Sequence, residues 1–313
     1  MQTGINGIIV LDKPEGFTSN DAVQKLRGIT RQRRCGHSGT LDPMATGVLP
    51  VFFGCATRAV EYTQNDDKEY TAAFRLGIET DTEDITGNVL KTSPVRVSRE
   101  DVLSALSRFT GDILQTPPMY SALCVDGQRL YKLARAGVTV ERKAREIHIE
   151  SISLSGDEMP ENEYKIHVKC SKGTYIRTLC ADIGAYLGAG AAMTYLRRTS
   201  SGIFSLSDAF SFDELQKMRD SGDISPALIP VDRVFSHLPA ISVDDYGEIR
   251  LRNGAFCPAR SVIDGGDAAF ENGQMKKNVR VYDKGGRFIA IARQGLLESG
   301  KTAIFLVKNF FEK

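Results

Sequence analysis

The apolar residues of this chain repeat every two residues in some segments and about every 3.6 in others, without a steady strand-helix-strand rhythm. In YTAAFRL, Tyr70, Ala72, Phe74 and Leu76 share one side while Thr71 and Arg75 take the other, which predicts a half-buried strand beginning at Tyr70. YKIHVKC alternates Tyr164, Ile166, Val168 and Cys170 against Lys165, His167 and Lys169. The next segment repeats Ile176, Leu179, Ile183 and Leu187 at helical spacing, so a strand feeds a helix over residues 174–187 through Ser171 to Thr174. GIIVLDKPEG reads as a buried strand, Gly7 to Leu11, entering a Pro-Glu-Gly turn. TSNDAVQKLRGI reads as a helix capped by Ser19 or Asn20, with Val23, Leu26 and Ile29 on its inner face. SREDVLSALSRFTG has a Ser98-x-x-Asp101 capping pattern, Val102, Leu103, Leu106 and Phe109 on one side, and Gly111 as a stop. Such interleaving predicts an α+β chain.

After about residue 235 the pattern turns to short strands around polar turns, with Asp283 to Gly286 as a hairpin connection. The FSHLPAISVDD segment containing Pro239 marks the boundary, giving domains over 1–238 and 239–313. With 313 residues, 42% hydrophobic and 25% charged, the chain is long enough for two packed cores. No apolar run approaches the roughly 20 residues of a membrane helix, so a membrane protein is not expected.

Lys and Arg total 40 against 39 for Asp and Glu, so the net charge of +1 does not itself argue for nucleic acid. Local charge does. Gln128 to Arg145 carries six basic residues against one acid, and RGITRQRR and the Leu196 to Arg198 segment add further clusters. Each could be a solvated face, but three such clusters among glycines and aromatics point to an RNA backbone. Six scattered cysteines without a C-x-x-C pair or secretory leader predict reduced thiols in a cytoplasmic protein, and the Cys and His positions suggest no metal site.

CGHSGTLDPMATGVLPV, Cys35 to Val51, sets one acid, Asp42, among glycines, small residues, one histidine and apolar side chains. Pro43 biases Asp42 toward extended backbone, and Gly36, Gly39 and Gly47 leave room for close approach. Two readings follow: a carboxylate presented to a ligand, or a cap for a turn or for a helix starting near Met44. His37 is similarly divided between a structural and a functional role.

Six blocks resemble, in order, the motifs of the TruB-type tRNA pseudouridine synthases: LDKPEGFTSNDAV (11–23), GHSGTLDPMATGVLPV (36–51), KEYTAAFRLGIETDTED (68–84), PPMYSAL (117–123), SKGTYIRTL (171–179) and YLRRTSSG (195–202). VRVYDKGGRFIAIA resembles, more loosely, part of a PUA-type RNA-binding module. The resemblance implies a mixed, mostly antiparallel sheet flanked by helices, with a catalytic cleft across its middle and a small β-rich C-terminal domain. It implies Asp42 as the nucleophilic aspartate, Tyr70 as the base-stacking tyrosine and candidate proton acceptor, and Arg177 as the partner of Asp42. On the substrate side it implies His37 as an RNA contact, Tyr175 beside Arg177, Leu196 packing near the flipped base, and Lys13 with Pro14 supporting the catalytic loop. Arg129, Lys132, Arg135 and Arg142 would belong to a mobile basic insertion, about residues 124–147, that closes over RNA.

The implied reaction isomerises uridine 55 in the T arm of tRNA. It breaks the N1 to C1′ bond, turns the uracil, joins C5 to C1′ and removes the C5 proton, without metal or organic cofactor. An arginine partner would keep the carboxylate ionised and oriented. An aromatic ring would stack on the base, which must leave its own stack to reach the site. The implied enzyme acts as a monomer and needs no protein partner; the short N-terminus and lack of long basic tails match the guide-free bacterial type. Three competitors stand beside it: a non-catalytic RNA-binding or chaperone protein on the same scaffold, an RNA N-glycosidase releasing uracil, and a synthase acting on other RNAs.

Overall fold

The computed structural model describes residues 5–125, 127–265 and 278–311. Its centre is a ten-stranded mixed sheet. The main path runs Ala209–Phe210, Gly7–Lys13, Thr46–Phe53, Ala191–Ser201, Lys68–Leu76, Glu163–Cys170, Arg145–Leu154 and Gly111–Gln115. Most pairings are antiparallel; Ala191–Ser201 beside Thr46–Phe53, and Gly7–Lys13 beside Ala209–Phe210, are parallel. Both faces of the sheet are covered. Ile9 and Leu11 join Leu49, Val51 and Phe53 in one core, whereas Ile8, Val10, Val48 and Phe52 join another. Period-two side chains buried on both faces read in sequence as unbroken apolar runs, which is why GIIVL and VLPVFF show no polar alternation.

The first core is closed by helices α1 (Ser19–Thr30), α2 (Arg99–Arg108), α4 (Ile176–Tyr186) and α5 (Phe212–Asp220), with the short α3 (Leu130–Arg135) in the basic segment. The cap of α1 is Thr18, not Ser19 or Asn20: its hydroxyl accepts from the Asp21 amide in a capping box. Helix α2 has the expected Ser98 and Asp101 box, but Leu103 is exposed and Ala105 packs inward instead. The Tyr70 strand begins two residues early, at Lys68.

A second sheet of six strands begins at Ala240–Val243, with α6 (Asp245–Arg252) beside it and the Asn278–Tyr282 and Phe288–Leu296 hairpin turning at Asp283 to Gly286. The C-terminal part is therefore β-rich, as expected. Ile291 and Phe310 from this part enter the core formed by Phe52, Phe204 and Phe235. No helix of the described residues is long and apolar enough to cross a membrane.

Phe52 has no exposed surface and meets Phe204 edge-on at 6.3 Å between ring centres. Phe52→Ala should lower unfolding stability by about 3–5 kcal/mol through lost burial and a residual cavity, read as a shifted chemical-denaturation midpoint.

Candidate active site

Asp42 lies in the connection between the strands Cys35–His37 and Thr46–Phe53, and the chain around it is fastened on all sides. Ser19, spared from capping α1, accepts from the Leu41 amide at 2.8 Å and donates to its carbonyl at 3.1 Å. Gly16 and the buried Lys13 ammonium both donate to the Pro43 carbonyl, at 2.9 and 3.3 Å. Lys13 also holds the Pro14 and Phe17 carbonyls, so it faces backbone and not a substrate. Burial pulls its pKa down to about 8, against the attraction of Asp42. No helix starts at Met44; a turn closed by the Ala45 amide on the Asp42 carbonyl leads straight into the strand. The Asp42 side chain is left free of capping duty and 37% exposed.

That carboxylate meets Arg177 in the first turn of α4. Arg177 Nε lies 2.9 Å from Asp42 Oδ2, and the arginine side chain is only 5% exposed. Its other donors reach the Thr82 carbonyl at 2.8 Å and the Tyr120 carbonyl at 2.9 Å, while Nη1 lies 3.5 Å from Asp84 Oδ2. Asp84 is itself buried, accepting from the Thr82 hydroxyl and from the Thr86 amide and hydroxyl. The neighbouring residue, Glu83, takes a left-handed backbone at φ 66° and accepts from Thr178 on α4. Asp84 was present at the end of one sequence block but carried no assigned role. The only sequence signal was a third acid in a threonine-rich turn.

Tyr70 is half-buried on the central strand, and burial raises its pKa despite the guanidinium of Arg198 at its phenol. Tyr175 is the N-cap residue of α4; its amide and carbonyl are both gripped by the side chain of the buried Gln115, at 2.8 and 3.0 Å. The charge of Asp42 acts on Tyr70, Tyr175 and Lys13. Leu196 is buried in the first core, paired across the sheet with Ala72. His37 has a shielded Nδ1 with no hydrogen-bond partner, and burial with the Arg198 charge lowers its pKa.

The basic clusters divide. Arg129, Lys132 and Arg135 are exposed in and before α3. Arg142 is turned inward: Nη1 donates to the Pro117 carbonyl at 3.0 Å and Nε is shielded without a partner. The Leu196 to Arg198 segment is no surface cluster at all. Arg197 pairs with Asp12 at 2.7 Å, and Arg198 is 1% exposed. Arg198 Nε donates to the Val48 carbonyl at 2.7 Å and Nη2 to the Gly39 carbonyl at 2.9 Å. Composition could not separate these arginines, because burial depends on which strand they join.

A lysine at 177 would keep the charge but lose the planar fork that serves Asp42, Thr82 and Tyr120 together. Arg177→Lys should lower the rate of any reaction that depends on an oriented Asp42 by about a hundredfold or more, while thermal unfolding stays cooperative.

A family model described as TruB family pseudouridylate synthase (N terminal domain) matches residues 27–176, and one described as tRNA pseudouridylate synthase B C-terminal domain matches 177–236. The tRNA pseudouridine synthase B of Stutzerimonas stutzeri is 44% identical over 305 residues, 96% of this chain and 94% of that protein. Its counterpart in Bacillus subtilis is 40% identical over 307 residues, covering 95% and 97%. A chain in a crystal structure of a Cbf5-Nop10-Gar1 complex is 26% identical, with a TM-score of 0.69 over 98% of this chain and 85% of that one. With Asp42 and Tyr70 inside the first matched segment and Arg177 opening the second, the chain belongs to the TruB family of pseudouridylate synthases.

Proposed function

We propose that this protein isomerises uridine to pseudouridine at position 55 in the T loop of tRNA, with Asp42 as the reacting carboxylate. The observation that carries this reading is the half-open Asp42 carboxylate set 2.9 Å from a nearly buried arginine. The tRNA assignment is supported by the names of the relatives, tRNA pseudouridine synthase B, and position 55 by the resemblance of this chain's six sequence blocks to the TruB type.

An ionised carboxylate suits a reaction passing through an electron-poor C1′ centre, as in glycoside chemistry. The bond from N1 to C1′ breaks, C5 bonds to C1′, the C5 proton leaves and N1 gains a proton, so product and substrate are isomers. Attack on C1′, addition to C6 and removal of a sugar proton all begin from the same carboxylate. Tyr70 stacks on the uracil, and its phenol takes up the C5 proton while passing its own proton on, since burial favours the protonated phenol, with Tyr175 and Leu196 as apolar surroundings. His37, half-buried beside the Asp42 loop, is assigned to the flipped-out loop of the RNA. Residues 1–238 form the catalytic domain, including the RNA-clamping insertion near 124–147, and residues 239–313 an RNA-binding domain. The second sheet's start at Ala240 supports this division. The enzyme works in the cytoplasm as a monomer without a protein partner.

A T-arm stem-loop tritiated at uracil C5 tests the reading. Tritium release with pseudouridine at the target position, lost in Asp42→Asn while RNA binding persists, is the expected result; binding without either product would make this an RNA-binding scaffold, and free uracil a glycosidase.

Arg129, Lys132 and Arg135 are assigned to phosphates. Replacing all three with alanine should weaken T-arm binding and flatten its dependence on salt by about one unit of log–log slope per lost contact, with the saturated single-turnover rate unchanged.

A further inference from the structure

We propose that Arg198 is a positioning residue for the reaction, tying the Asp42 loop and the Tyr70 phenol to one buried guanidinium. The assignment rests on the synthase reading of the site.

The register of the sheet places the parts. Gly47, Arg198, Tyr70 and Val168 lie side by side in one row across four neighbouring strands. Residues paired directly across a sheet project to the same face, so Arg198 and Tyr70 are side-chain neighbours by construction. The guanidinium then reaches beyond its row. It holds the carbonyls of Gly39 and Val48, which bracket Asp42 three residues before and six after, and it contacts the Tyr70 phenol.

Two glycines make this approach possible. At Gly47, with φ +98°, a Cβ would lie 2.1 Å from the Arg198 carbonyl oxygen. At Gly39, with φ +70°, it would lie 3.0 Å from Arg198 Nη1. The sterically open loop noted in the sequence is thus closed around this arginine's backbone and side chain.

Stability alone does not account for the residue. Among the described residues no carboxylate ion-pairs with Arg198, although it is 1% exposed. Burying a cation against carbonyls and one phenol is costly, and a well-packed apolar side chain commonly serves a core as well or better. What an apolar side chain cannot do is donate to both flanks of the Asp42 loop while setting its charge beside the Tyr70 phenol. Arg177 orients the carboxylate; Arg198 sets where the loop bearing it stands relative to the phenol. Misplacement by about 1 Å is enough to cost roughly a hundredfold in rate.

The test is a double-mutant cycle on the full chain with T-arm RNA, measuring single-turnover pseudouridine formation and RNA affinity in wild type, Arg198→Lys, Tyr70→Phe and the double variant. Expected is a loss of at least about tenfold in rate for Arg198→Lys in the wild-type background, an affinity within about twofold, and a loss at least about threefold smaller in the Tyr70→Phe background. Equal losses in both backgrounds, or a rate loss that follows affinity, would reduce Arg198 to a core residue and overturn the proposal. Should the Arg198 variant not fold, or Tyr70→Phe form no measurable product, arginine Nε NMR of wild type and Tyr70→Phe decides. A slowly exchanging Nε–H near the Val48 carbonyl that shifts on loss of the phenol supports the proposal, and an unmoved one overturns it. A wild type that makes no pseudouridine overturns the synthase reading, and the NMR comparison still decides the contact between the two side chains.

Discussion

The nearly buried Arg177 guanidinium draws the candidate site together from segments far apart in the chain. Asp42, the Thr82 to Asp84 turn and Tyr120 all converge on it, and it is held in place by α4. Arginine suits this because its planar fork presents five donors in fixed directions and does not lose its charge. A cation near a helix N-terminus opposes the helix dipole, and taking it out of water adds to that cost. Two carboxylates and two carbonyls offset both. Removing either acid would leave the other to neutralise the guanidinium alone, so the geometry of Asp42 depends on Asp84, which has no access to a substrate of its own.

Around that pair the backbone of the Asp42 loop is gripped by two further buried cations. Lys13 takes the Pro43 carbonyl from one side, and Arg198 takes those of Gly39 and Val48 from the other. Three cations near one half-open carboxylate create a positive field that is already in place before any substrate arrives. Its effect is visible in the neighbours: burial is the main cause of the lowered pKa at Lys13, His37 and Lys68, and the charge of Arg198 adds to it in each case. Such preorganisation spares the reacting groups from reorienting when charge shifts. It also restricts which residues the loop can hold, since its path is left-handed at Gly39 and Gly47 and a Cβ at either would press on Arg198.

Residues whose environment follows from local pattern were legible in the sequence. The Ser98 and Asp101 box, the inward faces of Ile166, Val168 and Cys170, the Ile176, Leu179 and Ile183 stripe and the turn at Asp283 all depend on neighbours within a few positions. Thr18 displaced Ser19 as the cap of α1 because Ser19 has a better use across the fold, on Leu41. Leu103 was misplaced for a simpler reason: on a ten-residue helix the buried stripe passes through Ala105, whose small side chain gives little hydrophobic signal. The basic clusters divided in a way composition could not foresee, since Arg129 and Arg198 look alike in the sequence, yet one meets water and the other is buried within a strand of the central sheet.

The sequence by itself determined the mixed strand and helix content and the β-rich character of the C-terminal part, and through its motif blocks it singled out Asp42, Tyr70 and Arg177 as candidates. Periodicity and motif order are properties of a linear string, so no tertiary information was needed to find them. The tertiary structure alone decided that Asp84 shares the arginine, that Lys13 faces backbone and not substrate, and that Arg198 lies under the site and not on the surface. Each of those outcomes depends on strand register and on contacts between segments up to 159 positions apart, as between Arg198 and Gly39. The physical reason is that a charged side chain takes its role from the partners that replace its water, and the fold alone chooses those partners.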